Sequence, residues 1–433
     1  MTVTPVNIDV SAETGALPQQ TFTDVAVVGT AAEAPPDAEF GEVNRYSSAA
    51  DVSEDYGEDS DVHVASQNVE QMGAGEWYVL VLEETEHEDE EVTSGETLEN
   101  TPALGEAGVE IDGYDVVYST DDPIEEGDVG DGEAHVNTDT GEVVTDDGEP
   151  ATATYSTVDW GGLDELKSQS INRAHLADVQ AGREHIGDLD AFTGWAAGAK
   201  VGVPLVLRNI AEYDSDQEAM EAAHEIAGYV PNGNVIGLTA KGTSDDIGAL
   251  LLGDLAVNEP WYNPYFGTEF PVSIRRIDGD LIGDPDTESS FLGGDSDGNG
   301  PVNVVTSVGG VNTLWKSVST AGAASDYQYF DVKMTEIFGE QILEDAMIST
   351  RLREDRIPFT GNGKTMVGST LRGALDQYTG GPNDPFADYD VSVPDPDDLT
   401  QDDRANRKWT DISVEVTLTG DAHTFELDLT LTV

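Results

Sequence analysis

Apolar residues recur along this chain with two periods, and the period changes several times between the ends. At the start, Val6, Ile8 and Val10 alternate with polar neighbours and predict a short strand with one apolar face. A loose stretch follows from Ser11 to Gln20. Phe22 to Gly29 then reads as a buried strand ending in a glycine turn, and Pro35-Pro36 marks a loop. Ser48 to Tyr56, closed by Gly57, and Val62 to Met72, closed by Gly73, predict two helices. Trp77-Tyr-Val-Leu-Val-Leu82 predicts a strand. The order strand, helix, helix, strand implies an α/β unit whose two strands lie in one sheet.

From Glu83 to about Trp160 helical periodicity is absent, and acidic clusters such as Glu88-Asp-Glu-Glu91 punctuate short β-like runs at Tyr114 to Tyr118 and Ala151 to Tyr155. This segment is expected to be a surface-exposed β insertion. Beyond Leu163 the two periods alternate again. Strands are expected at Val203 to Leu207, Val235 to Leu238, Phe270 to Ile277 and Val302 to Val305. Helices are expected at Glu218 to Ala227, capped by Asp214 or Ser215, and at Ser244 to Leu252.

The last hundred residues are the most regular. Met334, Ile337, Phe338, Ile342, Ala346 and Met347 form one helical stripe, and Val367, Leu371, Ala374, Leu375 and Tyr378 form another. Tyr389 to Val393 reads as a strand stopped by Pro394. Two alternating strands close the chain, Ile412/Val414/Val416/Leu418 and Phe425/Leu427/Leu429/Leu431/Val433, with Gly420-Asp421 as the turn between them. The fold class expected is mixed α/β and α+β, in several domains. The divisions are an N-terminal arm (1–20), a first α/β part (21–85), the acidic insertion (86–160), a central α/β region (161–325) and a C-terminal unit (326–433).

Charge changes this picture. Against 19 Lys and Arg stand 87 Asp and Glu, a formal net charge of −68 over 433 residues. Such a charge opposes compaction unless it is screened. At about 1 M salt the Debye length falls to about 3 Å, which suits a protein of saline surroundings. A disordered polyanion is excluded by the 38% hydrophobic content in periodic runs. A basic nucleic-acid surface is excluded by the charge itself. The chain has no cysteine, hence no disulfide, thiolate metal site or thiol nucleophile. The start of the chain lacks the basic and apolar segments of a signal peptide, and no apolar run is long enough for a membrane span. Synthesis in the cytoplasm, without export by a signal of that kind, is the expectation.

Candidate chemistry is thin. Phe359-Thr-Gly-Asn-Gly-Lys-Thr365 is similar to the end of a phosphate-binding loop, but the glycine required five residues before Gly363 is Pro358. It is read as a turn before a helix. Asp295-Ser-Asp-Gly-Asn-Gly300 matches half of a calcium loop, yet position twelve is Thr306, which lacks the bidentate carboxylate. A solvated loop is preferred to a cation site. The seven histidines fall at no metal-binding spacing, and no nucleophile elbow is present. No catalytic residue, cofactor or metal is assigned.

What the pattern does offer is its two ends. An alternating strand with one apolar face is an association liability unless it is covered. Val6, Ile8 and Val10 at one end, and Phe425, Leu427, Leu429 and Leu431 at the other, either pair within their own subunit or add to the sheet of a neighbouring copy. In the second case the contact propagates into rings or helical tubes.

At this point the chain resembles the tail sheath proteins of contractile-tailed viruses and related injection systems. The likeness is carried by Ile357-Pro-Phe-Thr-Gly-Asn-Gly363, the helix to Tyr378, Tyr389-Asp-Val-Ser-Val-Pro394, Asp402-Asp-Arg-Ala-Asn-Arg407, Ile412 to Gly420 and Ala422-His423. At the N-terminal side it is carried by Val25-Ala-Val-Val-Gly29, the helix to Gly57 and Trp77 to Leu82. A Pro-Gly-Val-Tyr-like segment, common near the start of such proteins, is missing here. With the acidic composition, the resemblance implies a sheath subunit of halophilic archaeal type, located in the tail of a virion. An inner α+β domain built from both termini would face the tube, with inserted outer β and α/β domains. Hexameric rings of the chain would stack into a helix, linked by terminal strand exchange, with tube, baseplate and tail-terminator proteins as partners and no direct contact with nucleic acid or membrane. Contraction would drive the tube through the host envelope. Arg351, Arg353, Arg356, Lys364 and Arg372 either face an acidic tube protein or pair locally with Glu354, Asp355 and Asp376. The rival readings are another tail or baseplate component and, further off, a halophilic α/β enzyme.

Overall fold

The computed structural model describes residues 24–419, apart from 104–107, 121–122, 125–128, 178, 244, 266, 278, 284–289, 295–299, 323–324 and 355. The terminal strands expected at Val6 to Val10 and Phe425 to Val433, and the loop Asp295 to Asn299, lie outside the described residues. The chain is mixed α/β with several sheets, divided into two compact units, 24–330 and 331–419 within the described range.

The larger unit begins with β1 (Val25–Ala31), β2 (Asn44–Tyr46), α1 (Ala49–Tyr56), α2 (Asp61–Gln71) and β3 (Trp77–Val92). Ser48 caps α1, its Oγ accepting the Ala50 N–H at 3.1 Å, and Gly57 stops it at φ +100°. β1 and β3 pair in parallel, with Ala26 opposite Tyr78. Strand side chains alternate between faces. Val25 and Val27 therefore enter a core with α1 and α2, while Ala26 and Val28 enter a second core on the opposite face.

β3 runs without a break past residue 85. Its distal half leaves the parallel sheet, and after it come β4 (Glu96–Thr97), β5 (Val109–Ile111), β6 (Asp115–Tyr118), β7 (Glu133–Val136), β8 (Glu142–Thr145) and β9 (Ala151–Val158). β9 returns antiparallel along β3, and a four-stranded sheet in the order β4-β8-β7-β6 completes this acidic region. It has its own small core of Val92, Leu98, Ala134, Val136, Val143 and Tyr155. Polar contacts tie it to the next region. Glu225 accepts from Thr120 Oγ1 at 2.9 Å and from Arg183 Nε and Nη2 at 2.9 and 2.8 Å. Tyr229 donates to Asp139 at 2.5 Å.

Next come β10 (Arg173–Leu176), α3 (Ile186–Ala199), β11 (Val203–Val206), α4 (Asp216–Tyr229), β12 (Val235–Ala240), α5 (Ile247–Val257), α6 (Gly279–Ile282), β13 (Asn303–Val308) and β14 (Val311–Leu314). β10 pairs in parallel with β1, and its other edge is tied to the start of β11. The Ala174 N–H donates to the Gly202 carbonyl at 2.9 Å, and the Gly202 N–H to that of Asn172 at 2.9 Å. The parallel strands thus run β3-β1-β10-β11-β12-β13. Ser215, one of the two caps expected, receives the Glu218 N–H at 3.1 Å.

Two expectations differ. Phe270 to Ile277 is not a strand; its backbone meets the edge of β14 at Glu269 and the Phe270 N–H, Pro271 has no N–H to continue a ladder, and the Val272 carbonyl instead accepts from the Asn312 side chain at 2.5 Å. β10 was not expected, because Arg173 and His175 interrupt any apolar pattern. Both are fully buried. Arg173 donates to the carbonyls of Leu255, in the last turn of α5, and of Pro260, just beyond it, at 3.0 Å each. Burial pulls its guanidinium down to about 10, opposed by the charge of Asp254. His175 presents Nδ1 to the Pro204 carbonyl at 2.9 Å and Nε2 to Asp246 at 2.8 Å, and the same carboxylate caps α5 through the Ala249 N–H at 2.9 Å. The two side chains of β10 therefore hold opposite ends of α5.

The second unit contains α7 (Phe330–Arg353), α8 (Gly361–Leu375), β15 (Phe386–Ser392), α9 (Gln401–Ala405) and β16 (Ser413–Leu418). Met334, Ile337, Phe338 and Ile342 of α7 are buried, as are Val367, Leu371, Ala374 and Leu375 of α8. Phe338 meets the edge of Tyr378 at 4.8 Å and stacks on Phe386 at 6.4 Å between centroids. Ala346 and Met347, further along the stripe, are half-buried.

Arg173→Ala would leave two buried carbonyls without donors and Asp254 without a nearby cation. We expect a loss of about 3 kcal/mol or more in unfolding free energy, measured by denaturant titration at fixed salt. A loss under about 1 kcal/mol would mean that water replaces the guanidinium.

Candidate functional site

The second unit ends in a hairpin whose two faces differ. β15 and β16 pair antiparallel from Phe386 opposite Leu418 to Ser392 opposite Ser413, with an irregularity between Phe386 and Asp388. Phe386, Val391 and Val414 are buried on the helix side, with Tyr389, Val416 and Leu418 half-buried. Asp388, Asp390 and Glu415 are exposed. Asp390 lies directly opposite Glu415. Like charges so placed on neighbouring strands repel.

A two-stranded sheet is marginal by itself. Among the described residues, β15 meets one further bridge, at Thr379, and no strand lies on the outer edge of β16. The last hydrogen bond described runs from the Thr419 N–H to the Pro385 carbonyl at 2.9 Å. Beyond it lie Phe425, Leu427, Leu429 and Leu431, outside the described residues like Val6, Ile8 and Val10.

The five basic residues singled out in the sequence separate into two groups. Lys364 pairs with Asp395 at 2.9 Å, and Arg372 Nη2 donates to the Val391 carbonyl at 2.7 Å, pinning β15 to α8. Arg351, Arg353 and Arg356 are exposed at and beyond the end of α7. Arg353 Nε donates to the Ser349 carbonyl and Arg351 Nη1 to that of Glu354, both at 3.3 Å, where the negative end of the helix dipole favours cations. Of the local partners considered, Asp376 accepts from Tyr389 instead, and Asp355 is outside the described residues. Asp395 was missed because it lies thirty-one positions from Lys364, with no periodic relation to it.

The glycine-rich turn is a helix start. Thr360 Oγ1 caps α8 by accepting the Gly363 N–H at 3.5 Å. A Cβ at Gly363 would lie 1.8 Å from the Pro358 carbonyl oxygen, so the glycine answers to backbone crowding. Most of the Asp402–Arg407 segment lies in α9, behind a capping box, with Asn406 as the C-cap. Thr400 Oγ1 accepts the Asp403 N–H at 3.1 Å, and Asp403 accepts the Thr400 N–H at 3.0 Å. Hydrogen bonds from Thr400 hold the Asp403 carboxyl below the usual range. Among the described residues no group of three or more His, Asp and Glu is placed to hold a metal ion, and no helix is long and apolar enough to cross a membrane.

No protein-family profile matches the chain, and neither does any curated protein. Solved structures do. A chain of the anti-feeding prophage helical sheath in its contracted state is 14% identical with a TM-score of 0.55, and the match covers 100% of each chain. A chain of the anti-feeding prophage baseplate, six-fold symmetrised, is 15% identical with a TM-score of 0.53, again over 100% of each. This protein has the fold of a contractile sheath subunit. A sheath complex of an extracellular contractile injection system (PVC), in the contracted state, is similar at 13% identity and a TM-score of 0.50, covering 100% of this chain and 99% of the other. At these identities the likeness is one of fold.

The hydrogen bond to Asp376 raises the Tyr389 phenol above the ordinary tyrosine value. The folded protein therefore keeps this proton at a pH where the unfolded chain has released it. The contribution is complete below the unfolded pKa and is lost as pH rises through the folded one. Asp376→Asn should move this titration to lower pH in ultraviolet difference absorbance. An unmoved curve would show that the bond is absent in solution.

Proposed function

We propose that this chain is a non-enzymatic structural subunit of a contractile tail sheath, polymerising helically around a tube. The observation that carries the reading is the end-to-end likeness in fold to a contracted helical sheath. A full-length match of this kind is hard to reconcile with a globular enzyme that merely shares one α/β layer. The hairpin fits the same role. It is short, its apolar face is less covered toward Leu418, and among the described residues no strand lies beside the outer edge of β16.

In this reading Val6, Ile8 and Val10 of one copy and Phe425, Leu427, Leu429 and Leu431 of another complete the hairpin's sheet and link the subunits. The unit that begins at Asp331 lies toward the tube, and the acidic segment 86–160 lies outward. Partners are further copies of the chain in stacked hexameric rings, a tube protein, a baseplate and a tail terminator. The location is the tail of a virus or of a phage-tail-like particle. Contraction passes between two packings of subunits, with the strand links acting as hinges. The net charge of −68 supports a high-salt setting such as that of an archaeal host.

The decisive experiment is negative-stain electron microscopy and sedimentation of the full chain in molar salt, with and without its tube protein. Striated tubes or decorated tubes are expected. Compact small oligomers under both conditions would overturn the reading. A chain ending at Thr419 is expected to keep its circular dichroism spectrum and to lose polymerisation. Tubes formed as readily by the truncated chain would remove the terminal strand from the linkage.

A further inference from the structure

Leu352 is 70% exposed, more than any other large apolar side chain among the described residues, the next being Val257 at 50%. It sits in the last turn of α7 between Arg351 and Arg353, with Arg356 just beyond. A single exposed apolar side chain is ordinary by itself, but this one is flanked by exposed arginines on both sides. Here it stands in a chain with 19 basic against 87 acidic residues. Among the described residues, Arg353 and Arg356 enter no ion pair. The feature asks for an acidic surface that shelters one aliphatic side chain.

Such a surface is present on the same unit. The outward face of the hairpin carries Asp388 and Asp390 on β15 and Glu415 on β16, with Asp390 and Glu415 directly opposed. The repulsion within this pair falls when a cation is placed over it. One copy cannot bring its own two surfaces together. The hairpin's other face is buried against the helices, through Phe386 on Phe338 and Arg372 on Val391, so the acidic face points away from α7 and α8.

We propose that the end of α7, Leu352 with Arg353 and Arg356, docks on the acidic outer face of the β15–β16 hairpin of a second copy of this chain. The contact rests on the sheath reading and is separate from the terminal strand link. Being head-to-tail, it propagates from copy to copy. An acidic tube protein is the other occupant that these arginines would suit. The second copy is preferred because its acidic face is built into the described hairpin.

The test uses two full-length variants, Arg353→Glu/Arg356→Glu and Asp388→Arg/Asp390→Arg, each checked for an unchanged circular dichroism spectrum. Self-association is followed by sedimentation at one salt concentration. Each variant alone is expected to associate at least about tenfold more weakly than the parent chain. An equimolar mixture should recover association, because native and reversed contacts then alternate along the assembly. Leu352→Ser should weaken association without responding to the mixture. Three results would overturn the proposal: unimpaired association of both variants, no recovery on mixing, or a defect seen only in binding to the tube. Failure of the parent chain to self-associate at all would also overturn it, while decoration of the tube by that chain would still uphold the sheath reading.

Discussion

A parallel strand with apolar side chains on both faces has no side to give to water. β1 is such a strand, with Val25 and Val27 directed to one core and Ala26 and Val28 to the other. Much of the larger unit answers to this constraint. Helices α1, α2 and α5 cover one face; α3, α4 and the turn around Leu163 and Leu166 cover the other. Coverage of both faces leaves little room for charge inside the layers, so most acidic residues lie on loops, helix exteriors and the inserted sheets, Asp188 of α3 being a buried exception. The exceptions on β10 are held by specific partners. Arg173 has carbonyls at the end of α5, and His175 has a carbonyl and the carboxylate that starts it.

The insertion obeys a different rule. Most of its strands are short, several of their outward positions are acidic, and the stretch 86–160 contains no Lys or Arg. Salt can screen that charge but cannot supply apolar area. The small core around Val136, Val143 and Tyr155 is correspondingly modest, and the join to the central region relies on polar contacts around Glu225 and Asp139. Ion pairs at such a surface contribute little each, so their value here lies in fixing orientation more than in stability.

In the second unit the two long helices are tied to each other and to the hairpin. Thr350 and Thr370 join α7 to α8 at 3.0 Å, and Phe338 links both helices to the hairpin. Among the described residues no strand lies on the outer edge of β16, and the outer face of the hairpin is charged.

Local features were legible in the sequence wherever neighbours in the chain decide the structure. Ser48 and Gly57 bracket α1, Ser215 caps α4, and the stripes on α7 and α8 bury most of the residues that their spacing indicates, with Ala346 and Met347 less covered and Tyr378 half-buried beyond the end of α8. The turn before α8 was recognisable because a phosphate loop needs a glycine where Pro358 stands. Tertiary structure alone decided the rest. The order β3-β1-β10-β11-β12-β13 depends on which edges meet across more than a hundred residues. β10 is a strand because β1 and the start of β11 flank it, although Arg173 and His175 hide its pattern. Phe270 to Ile277 has strand-like composition and only a brief edge to join. The separation of Lys364 and Arg372 from Arg351, Arg353 and Arg356 follows from where β15 and Asp395 come to lie. Periodicity and capping act within a few residues, and the partners that settle these cases come from distant parts of the chain.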